Sequence, residues 1–554
     1  MPDIDTRLHQ RFPTLDSAQL ATAKRFASGP ERHFAAGESV FSVGDTHSPM
    51  WLVLAGGIAV ERRDGLGHVQ PITVHGAGQF TGEVSQLAGR GSLAAGTAGP
   101  EGCTAVPLDA AHLRALLIGA AELGELVMRA LILRRVGLIE SDAADSVLVG
   151  RPGEPHLVRL QGFLTRNGYP NTLLDADADL EGRALVERLG IHSADLPLMI
   201  CPNGTVLKQP TDLAAAACLG MVPDLDPDTL YDVAIVGAGP AGLAAAVYAA
   251  SEGLSVVVLD QRAIGGQAGA SSRIENYLGF PTGISGQALA GRAYNQALKF
   301  GAELALPLQV QSLQCPSADA GPGAPLVLQL DSGTNVKACT VVVASGARYR
   351  RPNVENLAQF EGNGVSYWAS PVEARMCAGE EVALIGAGNS AGQAVAYLAP
   401  RVKTLHLMVR GVGLEASMSR YLIDRIRALP NVVLHTGTEL VSLQADDAGA
   451  LAGAVYRQRS NGETHQCSMR HLFLFIGADP NSDWLGDCVS RDAAGFVITG
   501  DSSLQTDRAG VFAIGDVRAG STKRVAAAVG EGAAVVAQIH QYLAGLQPVG
   551  TSST

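Results

Sequence analysis

The chain has eight cysteines and no Cys-x-x-Cys: Cys103, Cys201, Cys218, Cys315, Cys339, Cys377, Cys467 and Cys488 each stand alone. That spacing removes a local redox dithiol and the usual zinc-knuckle ligand set, so no metal is expected. Scattered single cysteines read as small buried apolar groups. Cations are also in deficit, with 41 Lys and Arg against 53 Asp and Glu and a formal net charge of −12. This disfavours nucleic acid or an anionic membrane as partner, since both select for excess Lys and Arg. The stretch Met1 to Phe12 carries charges and no apolar core, so it does not read as a signal peptide. One uncharged run, Val233 to Ser251, approaches a membrane span in length. Gly237-Ala238-Gly239-Pro240 breaks it after one strand's length, so it reads as strand, turn and helix. A soluble, cytoplasmic chain is expected.

What is present is a globular composition, 47% apolar and 17% charged, over 554 residues. At about 150 residues per domain, three to four domains are expected. Within residues 1–145, the stretch from about 30 to 107 carries short alternating strands, such as Ser39-Val40-Phe41 and Trp51-Leu52-Val53-Leu54, separated by turns at Val43-Gly44-Asp45 and Gly56-Gly57. This predicts an antiparallel β-roll. A leucine-rich helical run, Ala111 to Glu140, follows, to pack on the roll or on a partner chain. Phe34 through Asp45, Leu54-Ala55-Gly56 and Phe80-Thr81-Gly82-Glu83 resemble a cyclic-nucleotide-binding domain. The resemblance implies that Glu83 would hold a ribose hydroxyl and that a later Arg would pair with a cyclic phosphate. Here the segment runs Arg90-Gly91-Ser92 and the cassette is short. The expectation is a roll that has lost its ligand and serves interaction or regulation, with a cyclic nucleotide as the alternative.

Residues 146–222 read strand, helix, strand, helix, then a hairpin turned by Asn203-Gly204. The order resembles thioredoxin and glutaredoxin, which implies a cis Pro197 facing the active end. The redox pair should follow the first strand, but that position reads Gly150-Arg151-Pro152-Gly153-Glu154-Pro155-His156. A redox-silent module is expected, with Cys201 and Cys218 as packing residues. Pro223 to Asp228 is a polar linker.

From Leu230 the patterning turns doubly wound. Tyr231 to Val236 is a buried strand that enters Gly237-Ala238-Gly239-Pro240-Ala241-Gly242, and the next strand ends at Asp260 followed by Gln261. Glycines allow the tight turn and the close approach of a diphosphate to a helix N-terminus, and an acid after the second strand suits a ribose. Gly265-Gly266-Gln267, Ile274 to Pro281 with Asn276, Val341 to Ala347 with Ala344 and Gly346, Gly510 to Val517 with Gly515 and Asp516, and Lys523-Arg524-Val525-Ala526 resemble thioredoxin reductases of the FAD- and NAD(P)-dependent pyridine nucleotide-disulfide oxidoreductase family. The resemblance implies FAD contacts for Gln267 and Asn276, a ribityl contact for Asp516 (otherwise a helix N-cap), and Arg524 to Ala526 under the flavin ring. It also implies a homodimer.

The flavin domain is then discontinuous, 229–349 and 472–545, around an insertion at 350–471. There Glu381 to Ile385 enters Gly386-Ala387-Gly388-Asn389-Ser390-Ala391, and the next strand ends in Arg410. A cation at that place favours NADPH over NADH, and Ser417, Ser419 and Arg420 could add to a phosphate site. The family's Cys-Ala-Thr-Cys falls on Trp368-Ala369-Ser370-Pro371. Cys377 is expected to be structural, and Trp368 to cover the flavin face that a dithiol would occupy; these two are the only catalytic candidates. The connections 347–353 and 473–477 read as hinges between flavin states. The fold expected is multidomain, with two Rossmann-like α/β units behind a β-roll and a thioredoxin-like module. The function expected is hydride transfer from NADPH to FAD and on to an unidentified acceptor, either a redox protein or a small molecule. The alternative is a sensor flavoprotein with little turnover, controlled by the amino-terminal modules.

Overall fold

The computed structural model describes residues 8–140, 146–316 and 323–546. Residues 1–7 of the stretch read against a signal peptide and 141–145 of the first segment lie outside the described residues. Five strands form the roll: Arg32–Phe34, Ser39–Phe41, Met50–Arg63, Val69–Gly76 and Ala95–Leu108, all antiparallel in one sheet. Register shifts between Val53 and Ala55 and between Gly56 and Ile58 bend the two long strands. Gly56 makes that bend possible. Its φ is +71°, and a β-carbon there would collide with the carbonyl of Gly102.

The leucine-rich run is two helices, Ala110–Gly119 and Ala121–Glu140, broken at Ala120. Leu113, Leu116, Leu117, Leu123 and Leu131 share one core with Val233, Ile235, Leu243 and Val535. Of the two partners expected for this run, the structure shows an intrachain one: the helices weld the roll to the unit that begins at Leu230.

The second segment has the sheet order Asn171–Asp175, Ser146–Gly150, Leu198–Ile200, Val206–Lys208, parallel in the first pair and antiparallel thereafter. The Leu196–Pro197 peptide is cis, and Pro197 lies against Gly150 at the end where a redox pair would stand. The reading of Cys201 and Cys218 as separate packing residues is corrected here. The two are bonded as a disulfide, with Cα atoms 6.4 Å apart, at the opposite end of the sheet. Cys315 and Cys488 form a second disulfide across a separation of 173 residues. The remaining four, Cys103, Cys339, Cys377 and Cys467, are free.

The central unit is a seven-stranded sheet. Leu230–Val236 lies between Val256–Leu259 and Asn335–Val343, parallel to both. Val511–Ala513 returns late in the chain to pair in parallel with Val341–Val343. The helix Pro240–Ser251 is almost wholly buried against Val525–Leu546. Small residues permit this closeness: a β-carbon on Gly532 would sit 2.8 Å from that of Ala244.

The inserted unit has a five-stranded parallel sheet, with Glu381–Ile385 between His471–Leu474 and Thr404–Val409. The two connections between the units pair with each other, Ala347–Tyr349 antiparallel to Ala478–Pro480. The whole is a multidomain α/β protein with two Rossmann-type units behind a β-rich region. Among the described residues no helix is long and apolar enough to cross a membrane.

Candidate functional site

Five helix starts in this protein are closed by a side chain. Asp16, Asp109, Glu154, Thr211 and Ser285 each accept a hydrogen bond from a backbone N–H of the first turn. The helices Pro240–Ser251 and Asn389–Leu398 differ: their N-caps are Gly239 and Gly388, and neither has a capping side chain. A β-carbon on either glycine would meet nothing within 4 Å. Two helix N-termini therefore offer free N–H groups to open space, which fits the diphosphate of a dinucleotide. The neighbouring glycines are crowded instead. Gly237 has φ +114° and would collide with the Ala344 carbonyl, and Gly242 would collide with Gly237 O.

Asp260 fastens this turn from beneath. One carboxylate oxygen accepts from the Ala238 N–H at 2.8 Å, and the other from Arg262 at 2.8 Å and Ala263 at 3.3 Å. Burial pushes its pKa up against those three bonds. The loop Gly265-Gly266 folds over the fingerprint: Gly265 N–H donates to Ala238 O at 2.7 Å, and a β-carbon on Gly266 would lie 3.1 Å from the Gly239 Cα. Gln267 donates to Ala347 O in the inter-unit ladder. The second signature joins from the far end of the chain, where a β-carbon on Gly515 would lie 2.9 Å from that of Ala241. Gly515 N–H is held by Glu531 at 2.6 Å, and Glu531 also takes Arg518 at 2.6 Å. Nothing in the motifs marks Glu531, because it lies a full helical turn and more inside Val525–Leu546.

Asp516 sits within the short turn Gly515–Val517 rather than capping a helix. Burial lifts its pKa, with Lys523 acting the other way and Glu531 reinforcing the rise. Gly346 has φ +65° with open space at its β-position, and Arg524 precedes the helix that Val525 and Ala526 begin. Gln261 and Asn276 are exposed and are not drawn into this cluster by any described contact.

In the inserted unit Ala391 is buried, Asn389 accepts from Ser419 N–H at 2.7 Å, and Ser417 donates to Ala387 O at 2.8 Å. Arg410 is exposed and makes no ion pair among the described residues. Glu415 is engaged by Arg427, and Arg420 by Asp424. A second cation arrives from a distant hairpin: Arg459 donates to the carbonyl of Arg410 at 3.3 Å. From the ladder the Tyr349 hydroxyl reaches Ser390 of the inserted unit's fingerprint; burial raises its pKa, with that hydrogen bond acting the other way and the charge of Asp516 adding to the rise.

Where the family's cysteines would stand, the chain reads Trp368 and Pro371. The indole expected over the flavin face has other partners: its N–H donates to Glu373 at 2.8 Å, and its ring meets Arg166 of the thioredoxin-like module. No flavin-signature residue is among these contacts. Cys377 is fully buried, and burial pushes its thiol up to about 11. That state is unreactive at neutral pH and makes it a packing residue.

The roll's cassette differs again. Arg90 donates to Leu304 O of the central unit at 3.2 Å, and its guanidinium lies 5.6 Å from the Tyr294 ring centre. Glu83, Arg135 and Tyr169 belong to the same cluster. Arg134 holds Phe80 O and Gly82 O, both at 2.9 Å, and burial lowers its pKa to about 9.

Comparison with known proteins agrees with this geometry. The chain is 33% identical over 325 residues to NADPH-dependent thioredoxin reductase 3 of Arabidopsis thaliana, covering 57% of this chain and 59% of that one. It is 33% identical over 320 residues to a subunit of the alkyl hydroperoxide reductase of Escherichia coli strain K12, covering 58% and 60%. The chain thus spans about three-fifths of these two relatives. It is 32% identical to the thioredoxin reductase of Treponema pallidum, over 58% of this chain and 99% of that one. Two solved thioredoxin reductases, from Lactococcus lactis in its FR conformation and from T. acidophilum, superpose with TM-scores of 0.53 at 26% and 27% identity. Each covers 57% of this chain and 99% of its own. A model of the cyclic nucleotide-binding domain matches residues 31–118. The model of the pyridine nucleotide-disulphide oxidoreductases matches residues 231–532, more than half of the chain, and the protein belongs to that family.

Proposed function

We propose that this protein is an NADPH-dependent flavin oxidoreductase that passes electrons to an acceptor without an intrachain dithiol. The observation that carries the reading is the pair of uncapped, open helix N-termini in a chain with no Cys-x-x-Cys. When bound, FAD supplies the two-electron hydride chemistry that no side chain can. The chain's own residues hold and orient. Gly237, Gly239, Pro240, Ala241 and Gly242 cradle the FAD diphosphate, and Asp260 keeps that turn in shape. Gly266, Gln267, Ala344 and Gly346 wall the site, while Gly515, Asp516 and the start of the final helix at Arg524, Val525 and Ala526 close it. Gly386, Gly388, Asn389, Ser390 and Ala391 receive the nicotinamide dinucleotide, with Arg410 and Arg459 toward a 2′-phosphate.

Rapid anaerobic mixing with NADPH tests this reading. Bleaching of the flavin's visible band within seconds supports it, and no bleaching over minutes overturns it. NADPH consumption with thioredoxin, ferredoxin, quinone, ferric chelate or oxygen then assigns the acceptor as a protein or a small molecule. Arg410→Ala is expected to weaken NADPH binding about tenfold and to leave NADH unchanged.

A second reading, a sensor with little turnover, is favoured by one observation: the roll's Arg90 and the core leucines are built into the central unit. Stopped-flow reduction separates the two readings.

A further inference from the structure

The thioredoxin-like module has no redox pair, yet one short turn of it touches every other part of the molecule. At the end of the helix Pro155–Arg166, four consecutive residues between them meet three other units. Thr165 O accepts from Gln287 of the central unit at 3.2 Å. The Arg166 guanidinium lies 5.3 Å from the ring centre of Trp368 in the inserted unit. Asn167 donates to Arg262 O of the central unit at 3.0 Å. Gly168 O accepts from Arg135 of the roll's helix at 2.9 Å, and the same guanidinium lies 4.8 Å from the ring centre of Tyr169. The start of the helix also lies against the inserted unit. Val158 lines a cavity of about 100 Å³ together with Gly362, Tyr367, Trp368, Glu373 and His471. A β-carbon on Gly362 would lie 3.8 Å from Pro155.

Among the described residues the central and inserted units are also joined by two strands, Ala347–Tyr349 and Ala478–Pro480, by the contact of Tyr349 with Ser390, and by an ion pair from Arg425 to Glu275 at 2.7 and 3.1 Å. A two-stranded ladder resists stretching but permits twist. A rigid body fastened to both units removes that freedom, because rotation of one unit must break the contacts on one side of the turn.

We propose that the turn 165–169 is a clasp by which the thioredoxin-like module holds the two dinucleotide units in one relative orientation. Trp368, which stands where a thioredoxin reductase would carry a cysteine, is held against Arg166, and what the two form is a mechanical contact. Arg166 is the residue that determines it, since its Nε is anchored on Gly162 O at 3.1 Å and its guanidinium lies over the indole ring. Arg166 is a positioning residue and touches no reacting group. The inference takes the two units from the functional reading above, but its test requires neither NADPH nor turnover.

Spin labels on unnatural amino acids at exposed positions 332 and 461, one in each unit, report the distance between them in the full-length, FAD-loaded protein. The unsubstituted chain is expected to give one narrow distribution. Arg166→Ala, which removes the turn's contact with the inserted unit, and Asn167→Ala with Gln287→Ala, which removes its side-chain hydrogen bonds with the central unit, are each expected to broaden it about twofold or add a second distance. Arg166→Lys keeps the charge without the planar stack, and is expected to fall between. Hydrogen exchange at 347–349 and 478–480 is expected to quicken in the same order. A distribution that stays narrow in either releasing variant, with far-ultraviolet dichroism and flavin content unchanged, overturns the proposal. Should Arg166→Ala fail to fold, Arg166→Lys and the Asn167/Gln287 pair decide it by the same criterion.

Discussion

The flavin fingerprint and the roll's cassette are both Gly-rich segments that a sequence reader takes for anion cradles, and the structure treats them oppositely. At Gly239 the helix N–H groups face open space and no side chain caps them. At the cassette, Arg90 is already engaged by Leu304 O and Tyr294, and Arg134 Nη1 by Phe80 O and Gly82 O, while Arg134 Nη2 is buried without a hydrogen bond. A polar group that has found a protein partner must surrender it before it can take a ligand, and inside a protein that exchange is costly. The difference teaches that a motif's residues define what a site could bind. Whether it is poised to bind depends on what else in the fold has already claimed those groups.

The largest expected effect comes from closing the open cradle. Gly239 has φ −74°, so valine there is free of backbone strain and its side chain enters only the space meant for the diphosphate. Gly239→Val is expected to fold normally and to lose FAD affinity by about 100-fold, roughly 3 kcal/mol. The ratio of flavin to protein absorbance after purification measures it, and full flavin content would break the comparison.

Next comes the cassette. Arg90→Ala leaves Leu304 O and the Glu83 cluster without their guanidinium, and is expected to cost about 2 kcal/mol in a urea melt. Calorimetric titration of the unsubstituted protein with cAMP or cGMP is expected to release no heat. Binding of either with micromolar affinity would show that the cluster yields to ligand, and the contrast with Gly239 would disappear.

The smallest effect sharpens the open site. Burial raises the Asp516 pKa, so the folded protein holds that proton more tightly than the unfolded chain. The stabilisation is present below the ordinary carboxylate pKa and is lost as pH rises through the lifted value. In the flavin-free protein, Asp516→Asn is expected to flatten that fall in urea midpoint as pH rises above the ordinary carboxylate range. An unchanged slope would assign the pH dependence to Asp260, which burial also raises.

Much of this protein is local, and the local part was legible. Gly237-Ala238-Gly239 must turn sharply wherever it stands between a strand and a helix, and Asn203-Gly204 closes a hairpin because glycine accepts positive φ, here +82°. The alternation of the roll and the strand-helix order of the two Rossmann-type units follow from side-chain periodicity, which neighbouring residues alone set. What sequence could not reach is whatever joins residues far apart. Cys315 bonds Cys488 over 173 residues, Glu531 reaches back to Gly515 N–H, Arg459 comes beside Arg410, and Arg166 finds Trp368. None of these pairs has a spacing rule, because each depends on how separately folded units dock. The order of residues settles the two cradles and the absence of a dithiol between them. Which polar groups stay free for a ligand, and which hold the units to one another, is settled by docking in three dimensions. Backbone conformation is set by near neighbours, whereas the satisfaction of a buried charge is set by whatever surface arrives against it.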